Sequence, residues 1–395
     1  MNILITVHTY LPNRDGVQFV TQYLAEGLAG KGHKVQIVTY MYPERSDVRQ
    51  ETINGVNVLR WNVKTVHTFH RGDQKGYQRY ILKNYRQFDV MINVGTQTAL
   101  TDWLFPVFSQ IHIPKLLYLH SIWDFRIYRS ELKNPAALAA KLWANARWKL
   151  YYRRYAAIFK QYDIVTQLHP MDYSSRLFSD RYHIQSEIVG NAAEEAFFAP
   201  EYNDALDVPR QYILSVANYC PRKNQKKCLE LFYRSDIPEH WGFVFIGSSK
   251  NKYFDELARY NQILRKQLRL QNEKPVRFLA NIDRGDIYTY VKRSSLYFSA
   301  STWEAFPISI IEAMAAGVPY ISSNVGIIRF LSGGVVADKD EDYLYWLKLL
   351  TTDDDIRKSY GALGRMEAQK RYRISDKVDQ LEKYLIRIAE GKQQH

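Results

Sequence analysis

Short apolar runs alternate along the chain with longer stretches in which apolar residues recur at helical spacing, and the alternation runs twice. In the first pass, Asn2–Val7 reads as a strand, His8–Gly16 as a loop containing Pro12, and Val17–Ala29 as a helix with Val17, Val20, Leu24 and Leu28 on one face. Gly30 and Gly32 stop that helix, and Val35–Thr39 is the next strand. Val56–Arg60, Phe88–Val94, Lys115–Leu119 and Asp163–Gln167 follow as strands, while Trp61–Tyr77 shows no clear period and reads as loop. The second pass starts at Tyr212–Ala217 and continues through a helix from Lys226, strands at Phe243–Ile246, Arg277–Leu279 and Leu296–Phe298, and a helix at Ile287–Arg293. Val335-Val336 closes the strands, Asp354–Ile388 is mostly helical, and Gly391–His395 is a frayed tail. Strands alternating with helices predict an α/β protein built on parallel sheets.

The stretch Ser299–Gly326 carries the densest pattern: strand end, loop, helix, Gly stop, strand, Gly loop. Pro307 suits the first helical turn, where a missing N–H costs nothing, and Gly317 with Pro319 ends the helix. Glu304 sits just before this helix and Glu312 on it. The N–H groups of Ile308 and Ser309 open the helix, where its dipole favours an anion. Two carboxylates beside such a start suit a ligand carrying phosphate and several hydroxyls. The plainer alternative is an amphipathic helix with solvated acids.

At 395 residues the chain exceeds one ordinary core, which predicts two domains. With 46% hydrophobic and 24% charged residues it has ordinary globular usage. No run reaches the roughly 18 apolar residues of a membrane span, and Met1 leads directly into an apolar strand rather than a signal peptide. Cys220 and Cys228 match no metal or redox spacing and read as free thiols. His67 and His70 lack a third ligand and read as loop histidines. The net charge of +13 attracts anions. It concentrates in Arg126–Lys160, where Glu131 is the one acid and Tyr128, Trp143, Trp148, Tyr151, Tyr152, Tyr155 and Phe159 are interleaved. From Ala136 this segment reads as a helix with Leu138, Leu142 and Ala146 on one face. Two readings stand: a helix lying on an anionic membrane surface, or a core helix with a solvated basic back. No nucleic-acid-reading motif is present, so no nucleic-acid partner is expected. Gly95-Thr96-Gln97 and His120 follow strands directly, at the carboxyl ends where open α/β sheets bind ligands. A histidine there is either structural or faces the crevice.

The order E-A-F-P-I-S-I-I-E-A-M-A-A-G-V-P resembles the E-x7-E segment of retaining glycosyltransferases of the GT-B fold, family 4 type, also called glycosyl transferases group 1. The resemblance implies two Rossmann-like domains facing a cleft, with a C-terminal helix crossing back to the first. The expected extents are 1–200 for an acceptor domain, 201–375 for a nucleotide-sugar domain and 376–395 for the returning helix and tail. It implies that Glu304 meets the donor sugar and Glu312 the ribose, with Phe306, Pro307, Ile308 and Ser309 on the donor side. Lys223 in P-R-K-N matches the lysine that contacts the donor pyrophosphate. The family's Gly-Arg is replaced by Ala217-Asn218, which puts Asn218 at the donor and leaves Arg222 as a stand-in for the missing arginine. Gly247 lies where the family brings backbone to the nucleotide, and His120, in L-Y-L-H, where a histidine contacts the sugar near its reacting carbon. The P-x3-G-V pattern makes Gly16 the acceptor-side glycine. Glu187–Phe198 resembles the crossover between domains, with a boundary near Pro200–Arg210. Gly326-Ile327-Ile328-Arg329 departs from the family's Gly-Gly-x-x-Glu.

The implied activity is transfer of a sugar, with retention, from a UDP- or GDP-linked donor to a glycan, glycolipid or wall-polymer acceptor. No cofactor and no metal are expected, because positive charge and helix dipoles would stabilise the departing diphosphate. The expected place is the cytoplasm, at the inner membrane face. The alternatives are a sugar-nucleotide epimerase of the same fold, a phosphorylase, or a non-catalytic nucleotide-sugar-binding subunit; intact Glu304, Glu312 and Lys223 weigh against the last.

Overall fold

The structure is a computed structural model that describes residues 1–13, 15–42, 48–66, 69–127, 129–132, 134–200, 206–268 and 274–391. His67, Tyr128, part of the expected 200–210 boundary and the end of the tail lie outside the described residues. The chain divides into two compact units, one of Met1–Val189 with Val378–His395 and one of Gly190–Lys377. The division falls ahead of the polar 200–210 stretch.

The first unit is built on one sheet whose strands, in chain order, are β1 (Asn2–Thr6), β2 (Lys34–Tyr40), β3 (Gln50–Ile53), β4 (Val56–Trp61), β7 (Val90–Val94), β8 (Lys115–Tyr118), β9 (Ile164–Gln167) and β10 (Glu187–Ile188). Their spatial order is β10-β9-β8-β7-β1-β2-β4-β3, and all neighbours are parallel except β3 against β4. The register sets Ile3 beside Val35 and Val90, and Met91 beside Lys115. Central strands are apolar on both faces because helices cover both, and β7 is buried at every position. Asn93 is buried yet satisfied, donating to Thr6 Oγ1 at 2.7 Å and accepting from Tyr162 Oη at 2.9 Å.

The second unit repeats the scheme with β11 (Gln211–Val216), β12 (Trp241–Gly247), β13 (Val276–Ala280), β14 (Leu296–Ser299), β15 (Tyr320–Ser323) and β16 (Gly334–Ala337). All neighbours are parallel in the order β13-β12-β11-β14-β15-β16. Phe243, Phe245, Phe298 and Trp241 fill its core. Each unit is therefore Rossmann-like, as the resemblance implies. Cys228 is buried and both cysteines are free.

Within the segment expected to be loop, Trp61–Tyr77, the described residues form strands and the start of a helix. β5 (Val63–Val66) pairs with β6 (Phe69–Gly72) as an antiparallel hairpin, and the helix Gln74–Asn84 follows. The hairpin leaves most positions exposed and the helix buries only Tyr77 and Ile81, so neither writes a strong apolar period. The helix Lys252–Gln267, which buries only Leu257 and Leu264, is missed for the same reason. The basic helix spans Pro135–Phe159, but its buried face is Asn145, Trp148, Tyr152 and Phe159. Leu142 and Ala146, expected inward, are exposed. The aromatic rings carry more apolar area than the aliphatic stripe and take the core.

The last helix, Ile374–Gly391, belongs to the first unit from Val378 onward. Lys31 Nζ lies 2.5 Å from Glu382 and 2.8 Å from Asp379, and His33 Nε2 lies 2.7 Å from Glu382. Gly27 lets the helix seat, since a Cβ there would lie 2.4 Å from Val378 Cγ2. Gly27→Ala should therefore lose about 1–3 kcal/mol to overpacking, against about 1 kcal/mol gained in helix propensity. In a Val378→Ala background the same change should turn stabilising. Urea unfolding of the four variants checks this, and a Gly27→Ala protein more stable than wild type would show that the seat is not there.

Candidate active site

In the second unit, the loop after β11 and the loop after β14 meet. The first turns through Pro221–Lys223, and Lys223 Nζ reaches Glu304 Oε1 at 2.5 Å. Glu304 is 9% exposed, so its charge is held by the lysine rather than by water. The loops are stitched together by Thr302, whose N–H donates to the Arg222 carbonyl at 2.9 Å. Pro307 is the N-cap of the helix Ile308–Ala315, and no side chain caps this start. Tyr297 Oη bonds Ser309 Oγ at 2.7 Å and the Val216 carbonyl at 3.0 Å, which ties the helix start to the end of β11. Asn191 Nδ2 donates to the Phe306 carbonyl at 2.7 Å. The helix closes on Gly317 at φ +74°, with the Val318 N–H donating to the Ala313 carbonyl at 2.9 Å.

Glu312 points inward and is 2% exposed. It is met by the Arg284 guanidinium, whose Nε donates to Glu194 at 2.6 Å; Tyr288 Oη donates to the other Glu194 oxygen at 2.8 Å. Burial opposes the Arg284 charge, but Glu312 and Glu194 override it and hold the guanidinium firmly protonated. Neither Arg284 nor Glu194 was singled out from the sequence. The signal was weak: an arginine opening the helix Arg284–Arg293 and an acid in the crossover segment.

The remaining donor-side candidates are less convergent. Arg222 is exposed and stacks over Trp303 at 5.1 Å. Asn218 is exposed, and its carbonyl accepts from Gln225 Nε2 at 3.0 Å. Beside Gly247 lies the Tyr219 ring, where a Cβ would come within 2.3 Å of it; Tyr219 Oη donates to the Phe245 and Leu279 carbonyls. Gly247 thus has a packing reason of its own. The Asp338–Asp342 run, an acidic cluster by composition, spends its charge locally: Asp340 pairs with Lys227 and Arg234, each at 2.7 Å, and Asp342 accepts the Lys339 N–H at 3.1 Å. Among the described residues no group of three or more His, Cys, Asp or Glu side chains converges on one point.

In the first unit, Gly16 opens the helix Gly16–Gly30, capped by Asp15, whose Oδ1 accepts the Gln18 N–H at 2.9 Å. Asp15 Oδ2 also accepts from Thr9 at 2.8 Å and Asn13 at 2.5 Å. His120 follows β8 with its ring 5.0 Å from Tyr118. Burial, with repulsion from His8, pushes the His120 imidazolium down to about 3 despite Asp15, so the ring is neutral at physiological pH. Its Nε2 and His8 Nδ1 are buried without a hydrogen-bond partner among the described residues. In the same unit the Gly95-Thr96-Gln97 turn lies near a cavity of about 190 Å³ between the β5–β6 hairpin, Asp102-Trp103 and the basic helix.

Each unit thus carries a largely parallel sheet, and two carboxylates, a lysine and an uncapped helix start are gathered in one of them. Residues 14–166 match the Glycosyltransferase Family 4 model and residues 202–333 the Glycosyl transferases group 1 model. The chain belongs to this family and is a glycosyltransferase of the GT-B type. Among solved structures, sucrose-phosphate synthase from Thermosynechococcus elongatus superposes with a TM-score of 0.73 at 17% identity, over 98% of this chain and 99% of that one. Anabaena HepE in complex with UDP and glucose gives 0.69 at 13%, over 98% and 99%. One human relative, a phosphatidylinositol N-acetylglucosaminyltransferase polypeptide, is 23% identical over 82% of this chain and 62% of its own length. The human GDP-Man:Man(3)GlcNAc(2)-PP-Dol alpha-1,2-mannosyltransferase is 26% identical over 39% of this chain and 36% of its own. The chain thus spans less than two thirds of either human relative's length.

Gly326 fixes where Glu304 sits. It holds φ +57°, and a Cβ would lie 2.2 Å from the Ala305 carbonyl oxygen and 2.5 Å from that of Glu304. The Ile327 N–H donates to the Ala305 carbonyl at 3.2 Å. Gly326→Ala should displace the Glu304 loop and lower turnover on the order of 10²-fold, as a misplacement near 1 Å does, while nucleotide affinity changes little. Equal turnover by Gly326→Ala and wild type would show that this backbone contact does not position Glu304.

Proposed function

We propose that this glycosyltransferase moves a sugar, with retention of anomeric configuration, from a UDP- or GDP-sugar to a glycan or lipid-linked acceptor at a membrane face. The observation that carries the reading is the Lys223–Glu304 pair beside the uncapped start of the helix Ile308–Ala315. Lys223 and the first N–H groups of that helix supply positive charge for a departing diphosphate. Glu304 accepts hydrogen bonds from donor-sugar hydroxyls and, once the diphosphate draws Lys223, is freed from its ion pair to do so. Glu312 has one oxygen engaged by Arg284 and offers the other to ribose hydroxyls. Arg222 swings from Trp303 to the phosphates, with Asn218, Gly247, Phe306 and Pro307 walling the nucleotide. On the acceptor side, Gly16 lets the acceptor approach closely and neutral His120 presents an unspent Nε2 to a sugar hydroxyl. The protein carries all the charge stabilisation needed, so the reaction requires no metal.

The test is nucleotide release from UDP- and GDP-sugars, with and without EDTA. Activity should persist in EDTA, and Lys223→Ala and Glu304→Ala should each lose about 10²–10³ in turnover. Glu312→Ala should weaken nucleotide binding by about 1.5–3 kcal/mol in calorimetry. A fully active Lys223→Ala enzyme, or an absolute need for Mg²⁺, would sink the mechanism.

A lipid-linked acceptor is supported by the two human relatives, named for PP-Dol and phosphatidylinositol acceptors. It is also supported by the basic helix, which exposes Leu142, Trp143 and Leu150 beside Lys149, Arg153 and Arg154. No helix among the described residues is long and apolar enough to cross a membrane. The helix instead lies on an anionic surface, each basic residue contributing about 1 kcal/mol. Sedimentation with anionic vesicles should be strong at low salt and weak at high salt. Changing Lys149, Arg153 and Arg154 to Glu should abolish it. Protein left in the supernatant at low salt would point to a soluble acceptor.

A further inference from the structure

The cavity in the first unit is lined chiefly by aromatic rings. Its walls are the rings of Trp103, Trp148, Tyr151 and Tyr155, and its polar groups are Asp102, Arg147 and His70. At about 190 Å³ it is smaller than the roughly 300–1,000 Å³ of sites for drug-sized ligands. The space suits a single ring. Asp102 Oδ1 accepts from Tyr151 Oη at 2.6 Å and from the Gln97 N–H at 3.2 Å, so the carboxylate is locked in place. Burial pushes the Asp102 carboxyl up to about 7 in spite of those bonds. Such a group gains from further hydroxyl donors.

The cation is held differently. Arg147 packs its guanidinium 4.2 Å from the Phe69 ring and 4.8 Å from the Trp148 ring. Burial, helped by the charge of Arg147 and opposed by the Gln97 backbone bond, shifts His70 downward and keeps it neutral. One fixed carboxylate, one stacked arginine, one neutral imidazole and several ring faces match a neutral polyol ring. Hydroxyls meet the polar groups, and the apolar ring face meets the aromatics. A phosphate could pair with Arg147 but would offer no apolar ring face to the aromatic walls.

The cavity also has the right neighbours. Protonating His8 would disfavour protonation of both His70 and His120, and Tyr40, whose ring lies 6.1 Å from that of His8, accepts the Ala99 N–H at 2.8 Å three residues before Asp102. The cavity therefore adjoins the His8–His120 group rather than lying on a remote face of the unit.

We propose that this aromatic cavity, with Asp102, Arg147 and His70 as its polar groups, binds a pyranose ring of the acceptor. The assignment rests on the glycosyltransferase reading but names a subsite of its own. The exposed rim of Val66 and Phe69 suits an alkyl chain leaving the ring.

Binding is read without any turnover, by tryptophan fluorescence and saturation-transfer NMR. The probes are methyl α-mannoside, methyl α-glucoside, methyl β-galactoside and methyl N-acetylglucosaminide. At least one should saturate the protein, and saturating UDP or GDP should not displace it. Asp102→Asn keeps the Oδ1 acceptor for Tyr151 and Gln97, so it should fold, and it should weaken binding about tenfold or more. Phe69→Ala, at an exposed position, should weaken it severalfold. The matching octyl glycosides separate two sources of the ring. Tighter octyl binding assigns a lipid-borne acceptor and equal binding a water-soluble glycan, each supporting the subsite. No saturation by any of the four probes, unchanged affinity in Asp102→Asn, displacement by nucleotide, or preferential binding of inorganic phosphate would each overturn it. A protein that turns over nucleotide-sugars yet binds no glycoside loses this subsite alone, and one that binds glycosides without turnover loses the catalytic reading alone.

Discussion

A carboxylate as deeply buried as Glu312 is stable only because a cation meets it. Removing a charge of that size from water costs several kcal/mol, and Arg284 offsets it while drawing in Glu194 and Tyr288. The consequences spread through the second unit. The start of the helix Arg284–Arg293, the crossover segment at Glu194 and the helix Ile308–Ala315 must keep their relative places for the ion pairs to form. Those same places put the uncapped start of Ile308–Ala315 next to the Lys223–Glu304 pair. The Lys223–Glu304 pair thus sits on a helix start whose place the first ion pair helps to set.

The first unit uses burial in the opposite sense. His8 and His120 are kept neutral by desolvation, and Asp15 spends its oxygens on Thr9, Asn13 and the helix cap. What remains is a set of uncharged nitrogen atoms beside an aromatic cavity. The basic helix serves both ends. On its inner side Tyr152 and Phe159 close the core, while Trp148, Tyr151 and Tyr155 wall the cavity. Its outer face keeps Trp143, Leu150 and the lysine and arginines in solvent. A single amphipathic pattern could not satisfy both, so the periodicity of this helix is blurred.

The family match has a physical content here. Within the matched range 202–333, one strand-to-strand connection gathers a loop acid, an uncapped helix start and a left-handed glycine closure. The departures are also informative. Where the family has Gly-Arg, this chain has Ala217-Asn218, and Arg222 stacks on Trp303 where the loops after β11 and β14 meet. Where it departs after Gly326, the glycine still supports the backbone of Glu304 and Ala305.

By itself the sequence determined the elements with a strong apolar pattern. The central parallel strands, the helix Gly16–Gly30, the Pro307-to-Gly317 helix and the two-part α/β organisation were legible, because buried strands read as continuous apolar runs, a helix buried on one side repeats its apolar residues at helical spacing, and glycines punctuate them. The E-x7-E segment was legible because its residues stand together in the chain and resemble a known family segment. The exposed hairpin Val63–Gly72 and the helices at Gln74–Asn84 and Lys252–Gln267 were not, since partly buried elements leave little periodic trace. Only the tertiary structure decided that Arg284 and Glu194 meet Glu312, that Tyr219 fills the space at Gly247, and that the basic helix turns Trp148 inward and Trp143 outward. Each of these joins residues far apart in the chain, and a partner that distant is selected by packing and desolvation, which no local pattern encodes.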